Sequence, residues 1–247
     1  MTLLKPSEPW AMTADQAAQR EMGRDYSGVG RAAQAELVLR NALETFLRGR
    51  RSDARICHEM VMGEGKVRAD VVAVAPDHII ACEVKGQFDD TSRLLHQVCM
   101  YQLCVPEVWM VVATGHVGDA RLIRHLLPSV GLLVGSKSVR ERGELRYDLD
   151  DGAELLIEAE AVPRPVVPDM MLRMCWAAEL LSICRRLRLD VGTKPTRAKM
   201  VAKLLNLDTS TLQREVCTEL RSRDALWRAD PPYCTVRAAA SPDARPS

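Results

Sequence analysis

The sequence predicts an α/β protein: a mixed β-sheet flanked by helices, with a small α-helical module at the C-terminal end. Residues 67–75 and 79–85 are short runs rich in β-branched side chains, separated by Pro76-Asp77-His78, which is the pattern of a β-hairpin. An amphipathic run over 91–103 then leads to an almost wholly apolar run at 108–114. Strand, helix and doubly buried strand in that order imply a crossover with parallel pairing. After Val162-Pro163-Arg164-Pro165-Val166-Val167-Pro168 the composition shifts to helical runs.

Residues 1–30 mix Pro, Met, Gln and Gly without a sustained period and predict a flexible arm, with a short helix near 14–22. Gly28-Val29-Gly30-Arg31-Ala32-Ala33 has the form of a dinucleotide fingerprint, but no strand precedes it, so a glycine turn before a helix is the better reading. That helix is expected over 31–48. Leu39, Leu43, Phe46 and Leu47 form its apolar stripe, Glu36 falls on the same stripe, and Glu44 sits with Asn41 and Arg48 on a polar face. A carboxylate aligned with a buried stripe either ends in solvent or faces a site.

Residues 56–62 predict a strand beside the hairpin, Gly63-Glu64-Gly65 a turn, 131–134 a fifth strand and 154–160 one more. Together 31–160 make the sheet domain and 161–169 a stiff proline linker. Residues 170–228 follow as a helical module, with one long run over 170–189 and shorter helices at 196–205 and 209–223, and 229–247 form a disordered tail.

The chain has 247 residues, 47% hydrophobic and 27% charged, with a formal net charge of +1. That is an ordinary globular composition, and the net charge alone neither favours nor excludes a polyanionic partner. Eight cysteines scatter through apolar strand and helix patterns with no Cys-x-x-Cys pair, as expected of reduced, mostly buried thiols in the cytoplasm. His96, Cys99 and Cys104 lie near one another without a usual zinc spacing. No apolar run reaches membrane-spanning length, and no leader pattern opens the chain.

Chemistry concentrates at Asp70, Glu83 and Lys85. Glu83 and Lys85 share a sheet face, being two apart. A hairpin loop of two or four residues would set Asp70 opposite Lys85 or Glu83, whereas an odd loop would separate it from them. Two adjacent carboxylates repel unless a cation lies between them. All-oxygen ligands suit Mg²⁺ or Mn²⁺, with the Val84 carbonyl available to complete the shell. Such an ion polarises a phosphoryl oxygen and acidifies water, and Lys85 would orient that water or steady the developing charge. The plainer alternative is a solvated cross-strand ion pair. Downstream, Arg93, Gln97 and Tyr101 recur at four-residue spacing on one helix face, aimed at phosphates. Seven Lys or Arg residues lie between Arg185 and Lys203, around Lys194 and Arg197, a cluster able to neutralise a nucleic-acid backbone.

Arg68-Ala69-Asp70, Glu83-Val84-Lys85 and Gln97-x-x-x-Tyr101 resemble the PD-(D/E)XK nuclease superfamily. Glu36, Glu59 and Asp90-Thr91-Ser92-Arg93-Leu94 extend the likeness to its small sce-type bacterial and phage branch, over about residues 33–135. The resemblance implies a restriction-endonuclease-like core and a Mg²⁺- or Mn²⁺-dependent deoxyribonuclease that hydrolyses phosphodiesters by attack of a metal-bound water. Asp70 and Glu83 would bind the metal, Lys85 would assist the water, and Glu36 or Glu59 would add a carboxylate. Gln97 and Tyr101 would steady the site and, with Arg93 and Arg68, contact DNA. Ala69 stands where many relatives have Pro, and Gly86 removes a hydroxyl some relatives carry after the lysine. The alternative is a catalytically silent DNA-binding subunit of a transposition, phage or defence complex.

Overall fold

A computed structural model describes residues 31–136, 153–224 and 229–230. The expected N-terminal arm and the tail beyond residue 230 lie outside the described residues. The sheet has six strands: β1 Arg55–Met62, β2 Val67–Val74, β3 Ile79–Lys85, β4 Glu107–Ala113, β5 Gly131–Ser136 and β6 Glu154–Ala159, in spatial order β1-β2-β3-β4-β5-β6. The first three strands and the last pair run antiparallel, while β3, β4 and β5 are parallel. Parallel neighbours need helical crossovers, and these are α2, Leu94–Cys104, and α3, Val117–Leu126. The mixed α/β architecture is the one the sequence predicts. Helix α3 is an addition to it, although Ala120 and Ile123 bury the narrow stripe that its spacing offers.

Helix α1, Arg31–Arg50, covers one face of the sheet. Leu39, Leu43 and Leu47, four apart, pack there with Ile56, Val71, Ile80, Cys82, Val84 and Trp109. Phe46 meets Trp109 edge-on at 5.3 Å between ring centroids. The other face packs against α2, α3 and the C-terminal helices α4 Pro168–Leu172, α5 Ala177–Arg186, α6 Arg197–Leu204 and α7 Thr209–Ser222. One continuous apolar core runs from Val72 and Met110 through Tyr101 to Leu180, Leu204 and Val216. The proline segment lies along this body: Val162, Arg164 and Val167 donate backbone N–H groups to the carbonyls of Ser129, Pro106 and Leu103.

The single helix expected over 170–189 is two helices. Trp176 adopts an extended backbone and begins α5 as its N-cap, and its N–H donates to the Glu179 carboxylate at 2.6 Å. Arg55, buried at 1% exposure, joins the two halves. Its guanidinium donates to the carbonyls of Leu220, Arg221 and Arg223 at 2.7–3.1 Å, where α7 ends and carbonyls lack helical partners. The expected disorder beyond residue 228 does not hold at its first two residues. Ala229 bridges Cys57 on β1, and Asp230 donates its N–H to the Ile56 carbonyl while its carboxylate accepts the Ile56 N–H and both terminal guanidinium nitrogens of Arg48. Edge pairing plus a bidentate ion pair holds this segment.

Among the described residues seven cysteines are free thiols, six of them buried, as their apolar context predicts. No helix among the described residues is long and apolar enough to cross a membrane.

Candidate active site

The loop between β2 and β3 has four residues, since Val74 pairs with Ile79 and Val71 with Cys82. This even register brings Asp70 level with Glu83, but it does not leave both on one face. In the β1–β2 ladder His58 pairs with Val71 and Met60 with Ala69, while Glu59 and Asp70 between them are unpaired. Glu59 has a φ of +57°, rare for a residue with a side chain. Alternation breaks there on both strands, so Cys57 and Met60, three apart, enter the same core, as do Ala69 and Val72. Glu59 and Asp70 are thereby turned towards α1, and Glu83 and Lys85 towards α2. The expectation of a single face is corrected by this local kink.

On the α1 side Arg40 collects the carboxylates. Its Nε donates to Glu36 Oε1 at 2.8 Å, and its Nη2 donates to Glu59 Oε1 at 2.8 Å and Asp70 Oδ1 at 2.9 Å. Arg68 Nε lies 2.6 Å from the other oxygen of Glu59. Burial opposes the Arg40 charge, but Asp70, Glu36 and Glu59 together raise its pKa above the ordinary arginine value. On the α2 side Glu83, 1% exposed, accepts from Lys85 Nζ at 2.8 Å and from Gln97 Nε2 at 2.5 Å. The Tyr101 hydroxyl lies 2.5 Å from Glu83 Oε2 and 2.8 Å from the Arg68 carbonyl, and its one proton can serve only one of them at a time. Burial first, and the Glu83 charge second, raise the Tyr101 pKa and keep the phenol neutral.

Between the two sides Asp70 Oδ2 accepts the Val84 N–H at 2.8 Å. Burial and then the neighbouring Glu83 charge push the Asp70 carboxyl up to about 7, against the pull of Arg40, the Val84 N–H and Lys85. A carboxyl raised by burial and by a like charge beside it is a common feature of functional sites. Asp70 and Glu83 offer oxygen donors only; Glu83 Oε1 already accepts twice, from Lys85 and Gln97, while both Asp70 oxygens and Glu83 Oε2 keep acceptor capacity beyond the contacts above. They therefore fit a hard divalent cation. Among the described residues no group of three or more His, Cys, Asp or Glu side chains is gathered for a metal, because Glu36 and Glu59, expected as further ligands, are drawn to Arg40 instead. Val84, expected to offer its carbonyl, makes its visible contribution through its N–H.

The loop after Lys85 closes the site. Gly86 donates its N–H to Asp89 Oδ2 at 2.6 Å, and a Cβ at this position would stand 3.2 Å from both that oxygen and the backbone nitrogen of Glu36. Glycine lets α1 approach the end of β3. Thr91 hydrogen-bonds Asp119 at the start of α3 at 2.7 Å.

Among residues expected to meet nucleic acid, Arg93 is exposed where α2 begins, Arg68 is exposed beside Glu59, and Lys194 is exposed on the helical module. Gln97 lines the site beside Glu83, with its Oε1 buried and lacking a partner. One expectation fails: Tyr101 is fully buried and cannot touch a strand of DNA, because α2 packs its ring into the core. Arg197 is exposed, and its guanidinium also donates to the carbonyls of Cys175 at 2.9 Å and Leu172 at 3.3 Å, where α4 ends and needs donors. Arg40 was absent from the sequence-level set, and the only signal for it there is its position four residues after Glu36 on the same helix face.

No curated protein and no solved structure matches the chain. The family model described as bacteriophage P4 protein cII matches residues 31–230, from α1 through the whole sheet to the end of the helical module, and the chain belongs to that family.

Proposed function

We propose that the protein is a divalent-metal-dependent nuclease that hydrolyses phosphodiester bonds of DNA. The observation that carries this reading is the gathering of Asp70, buried Glu83 and Lys85 on neighbouring strands, with Lys85 Nζ 2.8 Å from Glu83 and Asp70 held on the Val84 N–H at 2.8 Å. A bound Mg²⁺ or Mn²⁺ would polarise the phosphoryl oxygen and acidify water. Asp70 and Glu83 would hold it. Tyr101 and Gln97 fix the Glu83 carboxylate from the α2 side, and Arg40 fixes Asp70 from the α1 side. Lys85, 7% exposed, keeps an ammonium at the same spot to orient the attacking water and to stabilise charge on the phosphate. Arg68, Arg93 and Lys194 supply exposed positive charge for the DNA backbone. Membership of a phage family is compatible with this role.

Purified protein incubated with linear and circular DNA and Mg²⁺ or Mn²⁺ tests the proposal. Cleavage should require metal and disappear in Asp70→Asn and Lys85→Ala. Cleavage equal to wild type in either variant sinks the assignment. One feature favours a second reading, a catalytically silent DNA-binding subunit: Arg40 and Lys85 already sit on Asp70 and Glu83. That reading expects salt-sensitive DNA binding that survives Asp70→Asn, with no cleavage under any metal.

A further inference from the structure

We propose that Arg40 is a built-in substitute for a second metal ion, so that the centre takes a single divalent cation. The inference rests on the nuclease reading and concerns how many cations that site holds. One guanidinium nitrogen, Nη2, lies 2.6 Å from Glu36, 2.8 Å from Glu59 and 2.9 Å from Asp70. Three carboxylates converge from α1, β1 and β2 on one point, and together they call for a positive charge there. The guanidinium fills that point, and the Arg40 side chain, 11% exposed, is further held by the Asp70 carbonyl at 3.3 Å. Arginine stays charged at every working pH, and a divalent ion beside it would be repelled at close range. Glu83 stands apart from this trio, with Lys85, Gln97 and Tyr101. One cation between Asp70 and Glu83 is therefore compatible with Arg40 in place, and a cation among Glu36, Glu59 and Asp70 is not. Arg40 would act by supplying fixed positive charge and by orienting Asp70.

The test is a Mn²⁺ titration of the full-length protein without DNA, counting bound ions by the electron paramagnetic resonance signal of free Mn²⁺ and by calorimetry. Wild type and Arg40→Lys should bind one ion per chain. Arg40→Met and Arg40→Gln, which free the trio, should bind two, and their melting temperatures should rise further with Mn²⁺ than that of wild type. Two ions in wild type overturn the inference without needing any variant. One ion in both neutral variants, with melting curves showing them folded, overturns it as well. No ion bound to either wild type or the variants removes the metal-site reading itself, and this inference with it.

Discussion

Arg40 and Arg223 both meet carboxylates in enclosed surroundings, and they do opposite things. Arg223, in the helical module, faces one carboxylate: both oxygens of Glu179 accept its nitrogens at 2.6 Å, its Nη2 also donates to the Met174 carbonyl, and its guanidinium lies 4.3 Å from the ring centroid of Trp176. Charge is balanced one against one, and the side chains are almost fully enclosed. Around the β2–β3 end, Glu36, Glu59, Asp70 and Glu83 face Arg40, Arg68 and Lys85, so carboxylates outnumber cations. The first cluster ties α5 to the end of α7. The second leaves Asp70 with a carboxyl pushed up to about 7. A balanced buried pair is complete as it stands, whereas in an unbalanced one burial and the neighbouring like charge disfavour the ionised form of a carboxyl.

The contrast breaks most visibly if its balanced half is cut. Glu179→Ala leaves Arg223 buried without a counter-charge and should cost about 3–5 kcal/mol in urea unfolding, while a comparable loss in Asp70→Asn would show that both clusters are structural. The expectation for Asp70→Asn is an unchanged or raised melting temperature in the metal-free protein, because the amide removes a carboxylate that burial and Glu83 disfavour. Next in size, Lys85→Ala should lower the rate of DNA cleavage about 100-fold or more while leaving Mn²⁺ binding in place, since in the proposed function Lys85 would serve the water and the phosphate rather than the ion. Loss of binding together with rate would assign it to holding Glu83 instead. A smaller effect is expected from Gly86→Ser, whose Cβ must displace the α1 backbone at Glu36 or the Asp89 carboxylate. It should cost about 1–3 kcal/mol of stability by crowding and lower activity, because α1 carries Arg40. Urea melts and cleavage rates on one sample separate the two.

The smallest change concerns a carboxylate outside both clusters. Asp208 caps α7, accepting the Thr211 N–H at 2.8 Å and the Ser210 hydroxyl at 2.5 Å, and these bonds hold its carboxyl well below the usual range. A depressed native pKa gives stability that is present above the unfolded carboxylate value, about 4, and lost as the pH falls towards the native value. Asp208→Ala should lower the melting temperature slightly at neutral pH, with the gap to wild type closing in acid. A gap that persists unchanged below pH 3 would mean the cap acts without its charge.

Much of the sheet was legible from local pattern. The alternation of Val67 to Val74 and Ile79 to Lys85, and the near-continuous apolar run from Val108, state strand and burial directly because side chains repeat every two residues in a strand. The crossover helix between β3 and β4 follows from the same reasoning. Asp70, Glu83, Lys85 and Gln97 were identifiable because strand spacing and motif order place them near one another. Arg40 was not, since nothing in a helix stripe tells an arginine that will meet Glu59 and Asp70 from one that will meet water. Glu44 shows the reverse: assigned to a polar face, it is buried and pairs with His58 at 2.9 Å, which only the approach of α1 to β1 arranges. Arg55 is a third case, its partners lying more than 160 residues away at the end of α7.

The even loop length came from the pairing register, while by itself the sequence determined the α/β class, the strand and crossover order, and the residues that crowd negative charge at the end of the hairpin. These depend on periodicity and spacing, which are local. Tertiary structure decided which way each charge turned: the kink at Glu59 turns Asp70 to α1, core packing buries Tyr101 with its hydroxyl on Glu83, and Arg40 takes Glu36 and Glu59. Direction and pairing depend on elements distant in the chain meeting in space, and the energy of a buried charge is settled by its neighbours there.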